Sequence, residues 1–132
     1  MASQGNNGNK AAGTSAEEYI AEQIDGFRTG GMWYDIETPH NGKIHEVKTT
    51  VETLSSGRNG RFRLWRDQHE KYLEEGGEYH FLVDSVGYER LSAEEVDEII
   101  EASGVEWTGA GGHRGEKQQL KLRWPEVFDR EG

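Results

Sequence analysis

The sequence predicts an α/β protein with a mixed central sheet flanked by helices, and three observations predict it. Strand-like and helical patterns alternate along the chain, but without the regular βαβ rhythm of a doubly wound sheet. Ser15 with Glu18, and Ser92 with Glu95, have the spacing of capping boxes that open helices. Asn41-Gly42 stands between two alternating runs, as the turn of a β-hairpin does.

The elements follow in order. Residues 1–14 are rich in Gly, Asn, Ser and Ala, with almost nothing to bury, so they are expected to form an arm without structure. A helix is expected from Ser15, with Ala16, Ile20 and Ile24 at helical spacing and Gly26 where it stops. Trp33 to Thr50 supplies two strands around Asn41-Gly42, and RFRLW, residues 61–65, alternates like a third. DQHEKYLEEGG reads as a short helix ended by glycines, and EYHFLVDSV as a buried strand. The order to that point is α-β-β-β-α-β. Val96, Ile99 and Ile100 then stripe a helix that runs to Gly104, and the remainder reads as two strands around a glycine-rich loop. TGAGGHRG, within that loop, has the wrong glycine spacing for a dinucleotide fingerprint.

A chain of 132 residues suits one domain, expected over residues 15–132, with a core at about 15–86 and an extension over 87–132. It has no cysteine, which excludes disulfides, thiolate metal sites and thiol nucleophiles. The five histidines show no zinc spacing. No apolar run approaches the ~18 residues of a membrane span, and the first residues lack the apolar centre of a signal peptide, so a soluble, intracellular protein is expected. The net charge of −10 argues against indiscriminate polyanion binding. Many carboxylates and only six lysines suit either a high-salt cytosol or an ordinary acidic protein.

The hairpin carries the candidate chemistry. Pairing its strands around Asn41-Gly42 puts Glu37 opposite Glu46 and Asp35 opposite Lys48. Asp35, Glu37, Glu46 and Lys48 then share one face, while Tyr34, Ile36 and Val47 point the other way into a core. Lengthening the turn symmetrically preserves that division. Opposed carboxylates repel, and a divalent cation taking oxygen ligands reverses the sign.

Asp35 followed by Glu46-Val47-Lys48 on the next strand resembles the D…(D/E)xK signature of the nuclease superfamily that includes restriction endonucleases and archaeal Holliday-junction resolvases. Tyr34 stands where that family usually has proline. The resemblance spans about residues 15–86 and implies a restriction-endonuclease-like core, followed here by a C-terminal helix and hairpin. It implies that Asp35, Glu46 and the Val47 carbonyl hold Mg²⁺ or Mn²⁺, with Glu18 on the preceding helix and Glu37 as further ligands. Lys48 would orient a water or neutralise a phosphate. Gln68 and Tyr72 match the Q-x-x-x-Y of the exonuclease-like branches, which would put Gln68 near Lys48 and Tyr72 in support.

The implied activity is hydrolysis of phosphodiester bonds in DNA, in repair, recombination or restriction, with a homodimer as one arrangement that relatives adopt. The alternative is a non-catalytic module of the same fold in a phage, plasmid or defence assembly. Arg58, Arg61, Arg63 and Arg66 fall within ten residues that contain no acid. Lying between the metal strand and the covering helix, they are the expected strip for a nucleic-acid backbone. His113 and Arg114, in the glycine-rich loop, are further candidates for reaching a groove.

Overall fold

The computed structural model describes residues 8–30, 33–109 and 117–128. A five-stranded mixed sheet forms the centre, in the order β1 (Phe27–Arg28), β2 (Ile36–Thr38), β3 (Lys43–Thr50), β5 (Glu78–Val83), β6 (Gly87–Ser92). Only the β3–β5 pair is parallel. Its crossover runs through β4 (Arg61–Trp65) and α2 (Arg66–Glu75). β4 does not join the central sheet. It pairs with β8 (Gln118–Arg123), which also pairs with β7 (Thr108–Gly109), to make a second, three-stranded sheet. α3 (Ala93–Ser103) and α4 (Trp124–Phe128) complete the described elements. No described helix is long and apolar enough to cross a membrane.

Two apolar clusters hold these layers together. α1 (Gly8–Gln23) lays Ile20 and Ala21 on Ile36 and Val47, with Leu82 alongside. On the opposite face, Ile44, Tyr79, Phe81 and Val83 of the central sheet meet Phe62 and Leu64 of β4, Leu120 and Leu122 of β8, and Val96 and Ile100 of α3. Fully burying each such side chain contributes about 1.5–3 kcal/mol, so the larger cluster is the main source of stability. α2 is clasped to its surroundings by His69, whose ring bonds the Tyr79 hydroxyl at 2.8 Å and Asp97 of α3 at 3.0 Å.

Several expectations change here. Helical backbone begins at Gly8, inside the stretch expected to lack structure, so Ser15 lies within α1 and does not cap it. The Ser92–Glu95 capping box forms as expected, with both of its hydrogen bonds. The hairpin closes at Thr38–Lys43, not at His40–Lys43. Pro39 occupies its favoured second position in a β-turn closed by the Asn41 N–H on the Thr38 carbonyl, and Gly42 follows at φ 70. Asn41 spends its side-chain oxygen on the Lys43 N–H. The turn is therefore longer by two residues, Pro39 and His40, both taken from the first strand. Tyr34 packs with Trp33 against the larger cluster instead of the α1 side, because regular pairing starts only at Ile36.

Candidate active site

β3 and the segment leading into β2 bring the candidate residues together. Regular pairing ends at Ile36–His45, but Asp35 stays tied to β3, since its N–H donates to the His45 carbonyl and its Oδ2 accepts from the Val47 N–H at 2.8 Å. Glu46 is buried, yet both of its oxygens are engaged. Oε1 accepts from the Tyr72 hydroxyl at 2.5 Å, and Oε2 lies 3.2 Å from the Lys48 ammonium. Among the described residues no donor meets Asp35 Oδ1.

Electrostatics follow from this crowding. Burial first, then the charge of Glu46, push the Asp35 carboxyl up to about 7, against smaller opposing effects of the Val47 N–H and Lys48. Burial and Glu46 likewise hold the Tyr72 hydroxyl well above the usual phenol range, so it stays a donor. All the donors are oxygens, the type that a hard divalent cation such as Mg²⁺ or Mn²⁺ takes. A cation on Asp35 and Glu46 would relieve their repulsion, so the residues fit the ion.

α2 acts as a jig for both carboxylates. Gln68 and Tyr72, four residues apart on one helical face, reach in different directions. Tyr72 grips Glu46, while the Gln68 amide donates to the Trp33 carbonyl at 3.4 Å, and the Trp33 ring packs on Tyr72 and under Lys71. Gln68 thus steadies the segment that carries Asp35, whereas the resemblance puts it near Lys48. Gly77 makes room for this arrangement. A Cβ there would lie 2.5 Å from a Tyr72 ring carbon and 3.1 Å from the Ile44 carbonyl. Gly77→Ala is expected to cost about 1–3 kcal/mol in denaturant melts and to release Glu46 from Tyr72. Unchanged stability would count against the jig.

The acids at the edges are placed differently from expectation. Glu18 is 64% exposed and pairs with Arg28 at 3.7 Å, whereas Glu17 is the α1 carboxylate whose charge raises Asp35. Glu17 also binds Arg28, at 3.0 Å. Glu37 shares the expected face but lies opposite Ile44 and accepts from the Tyr34 hydroxyl at 3.3 Å. The Val47 N–H, on the same residue whose carbonyl is the expected ligand, donates to Asp35 Oδ2.

A cleft of about 1360 Å³ opens beside the carboxyl ends of the parallel strands β3 and β5, where α/β folds commonly place ligands. It is not centred on Asp35 and Glu46, but Lys48 belongs to both. Arg61 and Arg63 form one wall with Lys121 of β8, which sequence reasoning missed. Lys121 opposes Arg63 and is flanked by Leu120 and Leu122, the same alternation that exposes the arginines. Partial burial, then Arg61 and Arg63, hold its ammonium below the usual lysine range. Arg66 faces elsewhere, bound to Glu70 and Gln118, and Arg58 lies exposed in the loop before β4. His113 and Arg114 lie outside the described residues.

A second group able to hold a metal, His45, Glu78 and His80, lies on the α1 side of the sheet. Its inner nitrogens, His45 Nδ1 and His80 Nε2, bond each other at 2.9 Å, and Arg90 occupies the Glu78 carboxylate at 2.8 Å.

In comparison with known families, residues 2–129 match the model of the PD-(D/E)XK nuclease superfamily domain. No curated protein and no solved structure gives a significant match.

Proposed function

Because the chain belongs to the PD-(D/E)XK nuclease superfamily, we propose that it is a divalent-metal-dependent nuclease that hydrolyses phosphodiester bonds in DNA, with Asp35, Glu46 and Lys48 as its centre. The observation that carries this reading is the half-buried Asp35 beside the buried Glu46, with the Lys48 ammonium 3.2 Å from Glu46 and reaching the cleft. Asp35 and Glu46 would hold Mg²⁺ or Mn²⁺, with Glu17 the better-placed helical acid than Glu18. When bound, the cation supplies Lewis-acid stabilisation of the charge that develops on the phosphate.

The chain's own residues do the rest. Lys48 neutralises a phosphate oxygen or orients the attacking water from the cleft side. Tyr72 fixes Glu46, and Gln68 fixes the approach to Asp35, so neither carboxylate has to be ordered when substrate arrives. Arg61, Arg63 and Lys121 receive the phosphate backbone. Binding through these three cations should weaken by only about 40-fold between 50 and 200 mM salt, since the salt slope scales with the number of phosphate contacts.

The test is cleavage of plasmid and oligonucleotide DNA at low salt, with magnesium or manganese and with chelator. Wild-type protein is expected to cut only with the cation. Lys48→Ala is expected to lose about 10²–10³-fold in rate while still binding the cation in calorimetry. Absence of both cleavage and cation binding in the wild type would overturn the proposal.

A further inference from the structure

Five large apolar side chains of the described residues are exposed, and four of them, Tyr19, Val51, Val86 and Tyr88, line the cleft that Arg61, Arg63 and Lys121 border. Exposed apolar groups gathered in one place mark a binding surface. The cleft is larger than the ~300–1,000 Å³ typical of small-molecule pockets and is open, as a segment of polymer requires.

Tyr88 is held as a platform. Its ring lies parallel to that of buried His80, with centroids 5.9 Å apart and an interplanar angle of 4°, and its hydroxyl bonds His80 Nδ1 at 2.7 Å. His80 Nε2 meets His45 Nδ1 at 2.9 Å, and His45 Nε2 meets Thr38 Oγ1 at 3.0 Å. Burial keeps both imidazoles neutral near pH 7. A neutral imidazole has one donor and one acceptor, so the chain Thr38–His45–His80–Tyr88 can be satisfied throughout with protons running in one direction. Two buried histidines thus anchor a ring that remains 42% exposed. Tyr19, 54% exposed on α1, lines the same cleft as Tyr88.

We propose that the cleft binds an unpaired nucleic-acid strand, its bases stacked on Tyr88 and Tyr19 and its phosphates on Arg61, Arg63 and Lys121. This deepens the nuclease reading and rests on it for the identity of the polymer. Within a duplex the base faces are covered by their neighbours, so two exposed rings have a use only for unpaired bases. The arginine and lysine wall carries the opposite charge to the backbone, in a chain that is otherwise acidic. Asp84, also on the cleft, keeps the phosphates to the β4–β8 side.

The experiment measures fluorescence anisotropy at low salt in chelator, so that binding is read without cleavage. The probes are homothymidine and homouridine strands of about 20 nucleotides and a mixed-sequence DNA duplex of equal length. Either single strand is expected to bind at least tenfold tighter than the duplex; the two arms tell DNA from RNA. Tyr88→Ala and Tyr19→Ala are each expected to weaken single-strand binding by about tenfold and to leave duplex binding unchanged, while Tyr88→Phe keeps most of the affinity. Equal or tighter duplex binding, no single-strand binding, or no effect of either alanine variant would overturn the inference. Cation-dependent cleavage is scored separately. Cleavage without strand preference would sink only this inference, and single-strand binding without cleavage would sink only the nuclease assignment.

Discussion

Asp35→Asn is expected to remove cation-dependent cleavage, by about 10³-fold or more, while making the cation-free protein more stable at pH 8. The activity loss follows from deleting the carboxylate charge that a divalent ion needs. The stability gain follows from the environment of Asp35, whose carboxyl titrates at about 7 in the fold against 3.8 in the unfolded chain, chiefly through burial and Glu46. Below about pH 4 both states are protonated and the group costs nothing. As pH rises from 4 to 7 the unfolded state ionises first, so the folded state loses ground, and above 7 the penalty is complete at on the order of 4 kcal/mol. Asparagine retains an oxygen for the Val47 N–H and carries no charge to repel Glu46. Melting in chelator should show the variant above the wild type by several degrees at pH 8, with the difference closing by pH 4. Cation affinity of the wild type should fall as pH drops below 7, because a proton must leave Asp35. Parallel melting curves at all pH values would show that Asp35 is not under this strain.

How much of this was legible in the sequence depends on which physical signal each part leaves. The hairpin's division into faces survives an error in its turn, because the loop takes two further residues from the first strand, and a shift of two preserves an alternation whose period is two. That is why Glu37, Glu46 and Lys48 still share a face, while Asp35, just before the first paired residue, is tied to the Val47 N–H rather than lying opposite Lys48. Pro39 was the signal for the longer turn. The alternation of RFRLW correctly buries Phe62 and Leu64 but carries no information about the partner strand, which is β8 rather than a strand of the central sheet. β6 was missed because GYERLS, an edge strand bonded to β5 on one side, has too few apolar positions to alternate visibly.

The site was legible where one residue had one role and obscure where neighbours on a helix compete. The resemblance points to Glu18 as the helical acid and a Ser15–Glu18 capping box competes for it, yet α1 begins upstream and it is Glu17 whose charge acts on Asp35. Rotation between adjacent helical residues is large, so an error in where the helix starts leaves the facing acid undetermined. Gln68 and Tyr72 share a face as their spacing requires, but their targets, the Trp33 carbonyl and Glu46, depend on how α2 lies across the sheet. Sequence spacing does not encode that. The tyrosine platform was invisible because its parts come from α1, β2, β3, β5 and β6.

Gly60→Ala is expected to be the most destabilising single-methyl change at any described glycine, costing more than about 3 kcal/mol, because the new carbon has nowhere to go. A Cβ on Gly60 would lie 1.8 Å from the Val51 carbonyl oxygen and 2.7 Å from Thr50 Oγ1. The first obstacle is main chain at the end of β3, so no rotamer change relieves it. Gly60 is also where the two sheets are stitched together. Its N–H donates to the Glu52 carbonyl, its own carbonyl accepts from the Trp124 N–H, and the Trp124 indole donates to Glu52 at 2.8 Å. Relief therefore requires β4 to move away from β3, carrying Arg61 and Arg63 away from Lys48 and widening the cleft. At Gly77 the nearest obstacle is a side-chain ring, which can tilt, so the smaller cost given above is expected there. Denaturant unfolding of the two variants should rank Gly60→Ala as the more severe, and at a temperature where it remains folded its nucleic-acid binding should fall as well. If Gly60→Ala melts within 1 kcal/mol of the wild type, with affinity retained, the close approach of the two sheets at this point is not what sets the cleft.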